Sequence, residues 1–489
     1  MTTRPNILFI MTDQQRADAL GRAGNSIIKT PNLDSLAEGG VRFTQAFTQC
    51  SMCIPARFSL ITGRYPHSHE VFHLGPMKSD EASIAEILND EGYRSAVSGK
   101  MHFCNADSYH GFEFYAYADR PDTLWDIIDT NSYIDHLKKK GKAVRRSDAL
   151  PEARAWANED GKDMEFGDND YVWWEYEPGI AAEDTHTAFV TDRAIDFLEE
   201  KHDKPWMLWV SYFSPHGPYE LPGPFDTMYS PEDMVIPDAG GLEIDSKPMR
   251  VRKRSGKKTP KQMKERIASY YAQISEVDHH VGRVISRLKE LGLYDNTILV
   301  FTSDHGDMLG EQQIMDKGPM LYDGVIRVPM IFHYPAKLPQ GKVLAPLVAS
   351  IDIMPTLLEL AGVPVPRRIQ GQSLAALMNG VATQTKEAIF SEYGQGLTGD
   401  KGKMKMVRTE EWKFIYICND VNELYDLVND PGELKNLAGR PEYVEVELEM
   451  MRKLMDWINE TEPHRIPMEK SVLQPISWTK GRGGYPYEY

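Results

Sequence analysis

The sequence predicts an α/β fold, a mostly parallel central sheet flanked by helices, followed by a smaller C-terminal α+β subdomain. Three observations carry that prediction. Short apolar runs suited to buried strands alternate with amphipathic helical segments. Several of these runs end in clusters of Asp, Gln, Lys and His, and ligands in open α/β sheets sit beyond the carboxyl ends of the strands. From about Val381 the pattern changes to closely spaced short strands and one helix. A catalytic unit is therefore expected over residues 1–380, with a loop-rich insertion at about 116–180, and a second unit over 381–489.

In chain order, the strands expected in the first unit cover residues 6–11, 93–97, 206–212, 297–302 and 329–333. Helices are expected over 83–89, 185–200 and 261–291. On the last of these, His279 and His280 are neighbours and point in different directions, so at most one faces the core. The insertion is acidic and aromatic; Trp173, Trp174 and Tyr176 read as packing within a cap, the alternative being an aromatic box for a cationic group such as choline. The second unit reads as strands over 388–391, 405–408, 413–418 and 423–426 and a helix over 444–458, ending in the irregular tail "SWTKGRGGYPYEY". That aromatic tail has the reach to meet a neighbouring subunit, so a homo-oligomer is a further expectation.

Composition narrows the class. A chain of 489 residues with 41% hydrophobic content buries a large core. Its formal net charge of −17 argues against general nucleic-acid binding and against adhesion to an anionic membrane. No run of about 18 apolar residues is present, so no membrane span is expected. The opening "MTTRPNILFIMTDQQ" reads as a first strand and not as a secretory leader. Four cysteines do not make a disulfide framework in a chain this long, and a cytoplasmic location is the expectation.

The strand ends carry the chemistry. The first runs into Thr12-Asp13-Gln14 and the second into Ser98-Gly99-Lys100-Met101-His102. Two later ones run into Ser214-Pro215-His216-Gly217 and Ser303-Asp304-His305-Gly306-Asp307. Each alone has an ordinary reading as a solvated turn, a surface charge or a satisfied loop histidine. Together they deliver Asp, Gln, Lys and His to one edge, as a metal-dependent hydrolase requires.

The stretch "QCSMCIPARFSLITGR" holds Cys50 and Cys53. A zinc or redox pair lacks further clean ligands nearby, His67 and His69 being the nearest. A phosphatase-type thiolate loop needs an arginine six residues after its cysteine, where this chain has Ala56 or Ser59. Counted from Cys53, however, Pro55, Arg57, Leu60, Thr62, Gly63 and Arg64 form a pattern that resembles the sulfatase signature. The segments "PNILFIMTDQQRAD", "SIAEILNDEGYRSAVSGKMHF", "TSDHGDMLGE", "DKGPMLYDGVIRVPMI" and "ELYDLVNDPGELKNLAG" resemble that family too, in family order. Cys50 has no counterpart in the pattern.

The resemblance, which is to the formylglycine-dependent sulfatases of the alkaline phosphatase superfamily, implies a chemistry. Cys53 becomes formylglycine through a formylglycine-generating or anaerobic sulfatase-maturing enzyme, and its hydrate attacks a small sulfate ester. Asp13, Gln14, Asp304, His305 and the modified Cys53 are then ligands of one divalent ion. The Asp-Gln with Asp-His set is similar to the choline-sulfatase and phosphonate monoester hydrolase branches, and its imidazole makes manganese as credible as calcium. Lys100 and Lys317 match the sulfate-binding lysines, His102 the histidine on the nucleophile's hydroxyl, and His216 the general acid on the leaving oxygen. Arg57 adds a cation, and Pro55 is expected in a first helical turn that leaves residue 53 just before the helix. His67 and His69, which follow the signature, are candidates for lining the pocket. The presence of both Lys100 and His102 favours a sulfate ester over a phosphonate or phosphodiester, the alternative within the superfamily; a non-catalytic oxyanion-binding relative is the third reading.

Overall fold

The computed structural model describes residues 4–72, 81–102, 110–117, 132–141, 144–148, 172–176, 181–217, 219, 221–381, 386–394 and 403–462. The strands of the first unit are β1 (Asn6–Asp13), β2 (Val41–Phe43), β3 (Ala46–Phe47), β4 (Arg94–Gly99), β5 (Glu113–Tyr117), β6 (Val144–Asp148), β7 (Val172–Tyr176), β8 (Trp206–Pro215), β9 (Thr297–Ser303), β10 (Met330–His333), β11 (Lys342–Leu344) and β12 (Val348–Ala349). Eight of them form one sheet in the order β11-β2-β10-β9-β1-β8-β4-β5. The five strands from β9 to β5 run parallel. The expected strand at 329–333 forms, but β10 lies antiparallel to both β9 and β2, so it carries nothing to the shared carboxyl edge.

β1 is central, and its register explains why distant segments meet. Asp13 pairs with Pro215 of β8, Thr12 with Ser303 of β9, and Gly99 of β4 with Ser211 of β8. Alternation along β1 sends Ile7, Phe9 and Met11 to one face and Leu8 and Ile10 to the other. The first face packs on the helix Ile353–Ala361, the second on the helices His186–Glu199 and Pro260–Glu290. Helix starts follow from local chemistry: Ser83 and Thr259 each close a capping box, and Thr185 accepts from the Ala188 amide. On the long helix His280 is buried and His279 exposed.

The second unit folds as an antiparallel sheet of β13 (Ile389–Tyr393), β14 (Met404–Arg408), β15 (Trp412–Ile417) and β16 (Glu423–Asp426), covered by the helix Val444–Thr461. It shares a core with the first: Met406, Ile415 and Tyr425 pack with Phe47, Met308, Tyr322 and Val325. Lys413 Nζ bridges Asp323 Oδ1 at 2.5 Å and Glu433 Oε1 at 2.6 Å across the junction. In the insertion, β6 and β7 pair antiparallel; the side chains of Trp173, Trp174 and Tyr176 lie outside the described residues, as does the tail. No helix among the described residues is long and apolar enough to cross a membrane.

Candidate active site

The signature stretch folds as the helix Cys53–Thr62, with Met52 as its N-cap. Cys53 is thus the first helical residue and not the one before it, because Pro55 occupies the third position. Its side chain still stands at the N-terminal end, where amide hydrogens and the helix dipole favour negative charge. Burial pushes the Cys53 thiol up, Lys317 and Lys100 oppose this, and the Asp13 and Asp304 carboxylates reinforce it. As a thiol the group stays protonated at neutral pH.

Asp13 and Asp304 leave β1 and β9 side by side, both fully buried. Arg57 clasps them from behind: its Nε donates to Asp304 Oδ2 at 2.9 Å and its Nη2 lies 3.3 Å from Asp13 Oδ2. Its Nη1 donates to the Lys100 carbonyl at 2.7 Å and to Ser211 Oγ at 2.9 Å. The guanidinium therefore braces the carboxylates. Lys100 Nζ sits 2.6 Å from Asp13 Oδ2 and over the Phe213 ring. Burial alone would raise the Asp13 carboxyl, but Lys100, then Lys317, His216 and Arg57 hold it well below the usual carboxylate range.

With the Oδ2 atoms taken by cations, the Oδ1 atoms face His305. His305 Nε2 is 3.7 Å from Asp13 Oδ1 and 3.7 Å from Asp304 Oδ1. Its Nδ1 donates to the Gly306 carbonyl at 2.9 Å, which fixes the tautomer with a bare lone pair on Nε2. Gly306 is required there, since a Cβ would fall 2.1 Å from the Gly324 carbonyl oxygen. Gln14, at φ 73°, gives its backbone N–H to Asp304 Oδ1 at 3.1 Å and its Nε2 to Asp307 Oδ2 at 2.6 Å. Gln14 Oε1 and Asp13 Oδ1 are buried without a hydrogen-bond partner among the described residues.

Asp13, Asp304 and His305 each turn one ligand atom toward a common point, with these atoms within 4.8 Å of one another. Lys317 Nζ lies 3.1 Å from His305 Nε2, 3.7 Å from Asp13 Oδ1 and 3.8 Å from Cys53 Sγ, which marks this as a place where positive charge is held. Carboxylate oxygens, an amide oxygen and one imidazole suit a divalent cation of the calcium, magnesium or manganese type. The donor set fits such an ion.

The two remaining histidines border this cluster. His102 is buried at φ 56°; burial, then Lys100 and Arg57, pull its pKa well below the usual histidine range. His216 is half-buried, lies tilted against the Phe213 ring, and places Nδ1 2.6 Å from the Gly217 carbonyl oxygen, so Nδ1 carries a proton and Nε2 is the nitrogen that can exchange one. Burial and Lys317 hold it well below its usual range as well.

The histidines after the signature have other employment. His69 Nε2 meets Ser59 Oγ at 3.0 Å and its Nδ1 accepts from the Val71 amide at 3.1 Å. His67 bonds Glu392 at 2.8 Å and Thr461 Oγ1 at 2.9 Å. One is core and the other clasps the second unit, and the partners of neither belong to the Asp13, Asp304 and His305 cluster. Ser211, Asp307 and Tyr270 also support the site, although none was a candidate from the sequence. Tyr270 donates to the Gln14 carbonyl at 2.6 Å and accepts from the Arg16 amide at 2.9 Å, holding the left-handed turn at Gln14. Only Asp307, within the quoted cluster, carried any signal in the sequence.

Residues 5–363 match the family model described as Sulfatase, and residues 310–460 the one described as N-sulphoglucosamine sulphohydrolase, C-terminal. The chain belongs to the sulfatase family. It is 32% identical over 468 residues to an arylsulfatase of Clostridium perfringens (strain 13 / Type A), covering 92% of this chain and 94% of that one. It is 30% identical to a choline-sulfatase of Rhizobium meliloti (strain 1021), covering 90% and 84%. Among solved structures, the phosphonate monoester hydrolase of Agrobacterium radiobacter superposes with a TM-score of 0.78 at 26% identity, covering 94% of this chain and 96% of the other. The sulfatase fold expected from the sequence is therefore present, as a family of sulfuric ester hydrolases with phosphonate hydrolases among its structural neighbours.

Proposed function

We propose that this sulfatase hydrolyses a sulfate monoester through a formylglycine hydrate at position 53. The observation that supports it best is one arrangement: Lys317 Nζ stands 3.8 Å from Cys53 Sγ and 3.7 Å from the Asp13 carboxylate, beside His305. A separate formylglycine-generating or anaerobic maturing enzyme would oxidise the Cys53 side chain to the aldehyde. Asp13, Gln14, Asp304 and His305 would hold one divalent cation, calcium or manganese, together with the modified residue 53. When bound, such an ion supplies Lewis acidity that eases loss of a proton from the hydrate.

The chain's own residues do the rest. One hydroxyl of the hydrate would give its proton to solvent and its oxygen would attack sulfur; the S–O bond to the alcohol or phenol would break, and the leaving oxygen would take the Nε2 proton of His216, protonated once the anionic substrate is beside it. Lys100 and Lys317 stabilise the charge that develops on the sulfuryl oxygens, the kind of preorganised electrostatic term that dominates many enzymes. His102 then takes the proton of the second hydroxyl, the C–O bond to the sulfate breaks, and the carbonyl re-forms as sulfate leaves. Water rehydrates it. Serine at this position would leave a stable sulfate ester, because it has no second oxygen to expel the group.

Phosphonate monoesters or phosphodiesters are the second reading, favoured by the TM-score of 0.78 to a phosphonate monoester hydrolase. Purified, matured protein assayed on matched 4-nitrophenyl sulfate and phenylphosphonate esters decides between them by the larger kcat/KM. The tryptic peptide of residues 43–57 from the same preparation reports the modification: an aldehyde mass at Cys53 in active protein supports the mechanism. Full activity with an unmodified thiol refutes it.

A further inference from the structure

We propose that residues 250–258, a basic segment beside the site, bind a second anionic group of the substrate, so that the carrier of the hydrolysed sulfate is itself negatively charged. This rests on the sulfate-ester reading above and names its substrate class. In a chain with a net charge of −17, half of the sixteen residues from Met249 to Lys264 are Arg or Lys and none is acidic. Arg252, Lys253, Lys257 and Lys258 are exposed and have no ion-pair partner among the described residues. Their neighbours are engaged: Lys261 pairs with Glu265 at 3.9 Å and Lys264 donates to the Glu232 carbonyl at 3.0 Å. Crowded like charges repel one another, and a run with no acidic residue of its own is relieved by an anion from outside.

The segment is built onto the loop that carries Lys317. Arg254 Nη2 donates to the Lys317 carbonyl at 2.8 Å and to the Met315 carbonyl at 3.1 Å. Ser255 Oγ donates to the Gln312 carbonyl at 2.8 Å and the Gly256 amide to that of Gln313 at 3.1 Å. Within this loop Leu309, Gln312, Gln313 and Asp316 all have positive φ. Non-glycine residues hold such conformations only where the surroundings over-determine them, and they cluster at ligand clamps. The segment that carries the four exposed cations is thus fastened to the backbone of the Lys317 loop through Arg254, Ser255 and Gly256.

That location favours the substrate's own charge over an unrelated polyanion. A carboxylated or multiply sulfated sugar would place its second anion against the segment while one sulfate meets Lys317. Choline sulfate would bring a quaternary ammonium toward the same cations and be disfavoured.

The test compares kcat/KM on a disulfated sugar, 4-nitrophenyl sulfate and choline sulfate, using matured, metal-loaded full-length protein. The comparison is run at about 20 mM and about 200 mM salt, which spans strong to weak screening. The quadruple variant R252Q/K253Q/K257Q/K258Q is measured alongside, with its thermal midpoint as the check on folding. The expected result is a preference for the disulfated sugar whose ratio to 4-nitrophenyl sulfate falls by about tenfold in the variant and shrinks in the higher salt. Preference for choline sulfate overturns the proposal, as does a ratio that the variant leaves unchanged. Tight, salt-sensitive binding of single-stranded DNA without any preference among sulfate esters also overturns it. If the wild type hydrolyses none of the three esters, the sulfate-ester reading itself fails; if it hydrolyses 4-nitrophenyl sulfate without the preference, only the subsite does.

Discussion

Replacing Arg57 with lysine isolates what the guanidinium does as a shape from what it does as a charge. Lysine keeps the positive charge but offers one compact ammonium in place of a planar fork. In the structure that fork reaches four acceptors at once: Asp304 Oδ2, Asp13 Oδ2, the Lys100 carbonyl and Ser211 Oγ. All lie in a fully buried setting, and an ammonium on a straight stem serves one or two of them. At least two hydrogen bonds to a charged group are lost, each worth about 1.5–3 kcal/mol, so R57K should cost about 3–6 kcal/mol. Against a total stability of about 5–15 kcal/mol, this is a large fraction. The same bonds turn the Oδ1 atoms of both carboxylates toward His305, so divalent-metal affinity should fall by about 10–100-fold, as for other groups that orient metal ligands. Urea denaturation followed by tryptophan fluorescence reads the first effect and chelator competition the second. A variant within about 1 kcal/mol of wild type, with unchanged metal affinity, would refute the claim that geometry and not charge is what Arg57 contributes.

Further perturbations test other parts of the site. Tyr270→Phe removes the hydroxyl that bridges the Gln14 carbonyl and the Arg16 amide, and should weaken metal binding by about tenfold at unchanged stoichiometry; a lowered thermal midpoint with unaltered affinity would make Tyr270 merely structural. His216→Ala should slow alkyl sulfates by about 10²–10⁴-fold and 4-nitrophenyl sulfate far less, because a good leaving group needs no proton; equal losses on both would remove His216 from the role of acid. Burial holds His69 and His280 at about 3, so the unfolded chain binds more protons as pH falls below about 6.5. Stability should then decline by about 1.4 kcal/mol per pH unit for each of them down to about pH 3, and His280→Gln should flatten the slope of thermal midpoint against pH. An identical slope in that variant would contradict the assignment.

Much of this site was legible because its residues sit where long apolar strands stop. β1, β8 and β9 are runs without a charged residue before their ends, so the first polar text after each marked a carboxyl edge, and the pairing of Asp13 with Pro215 and Thr12 with Ser303 made those edges neighbours. What composition and periodicity left open was direction. β10 reads like its neighbours, yet the segment 304–329 returns it antiparallel, and Met330, Ile331 and Phe332 followed by a histidine carry no sign of orientation. The short strands β2, β3, β11 and β12 were missed for a related reason, since two or three residues show no alternation. Histidines misled by proximity: His67 and His69 follow the signature within a few positions, but the helix carries them away toward Glu392 and Ser59. Tyr270 had no signal, being one of two adjacent tyrosines on a helix whose partner is fixed by the tertiary fold.

Two buried carboxylates, Asp13 and Asp304, face three cationic side chains, Arg57, Lys100 and Lys317, and the protein holds Asp13 ionised against its burial. Arg57 and Lys100 occupy the outer oxygens, and of these three cations Lys317 stands on the inner side next to Cys53 and His305. Lys317 is therefore the cation placed to change partners: a divalent ion on the inner oxygens and His305 Nε2 would displace its ammonium toward the incoming sulfate. The prediction is a coupling. Lys317→Met should bind the metal at least as tightly as wild type, having lost a competing cation, while kcat/KM on 4-nitrophenyl sulfate falls by about 10²-fold or more, the scale of losing one transition-state donor. Chelator competition and steady-state kinetics on the same preparation measure both. Parallel loss of metal and of activity would mean that Lys317 supports the ligands, and the division between outer and inner cations would not hold.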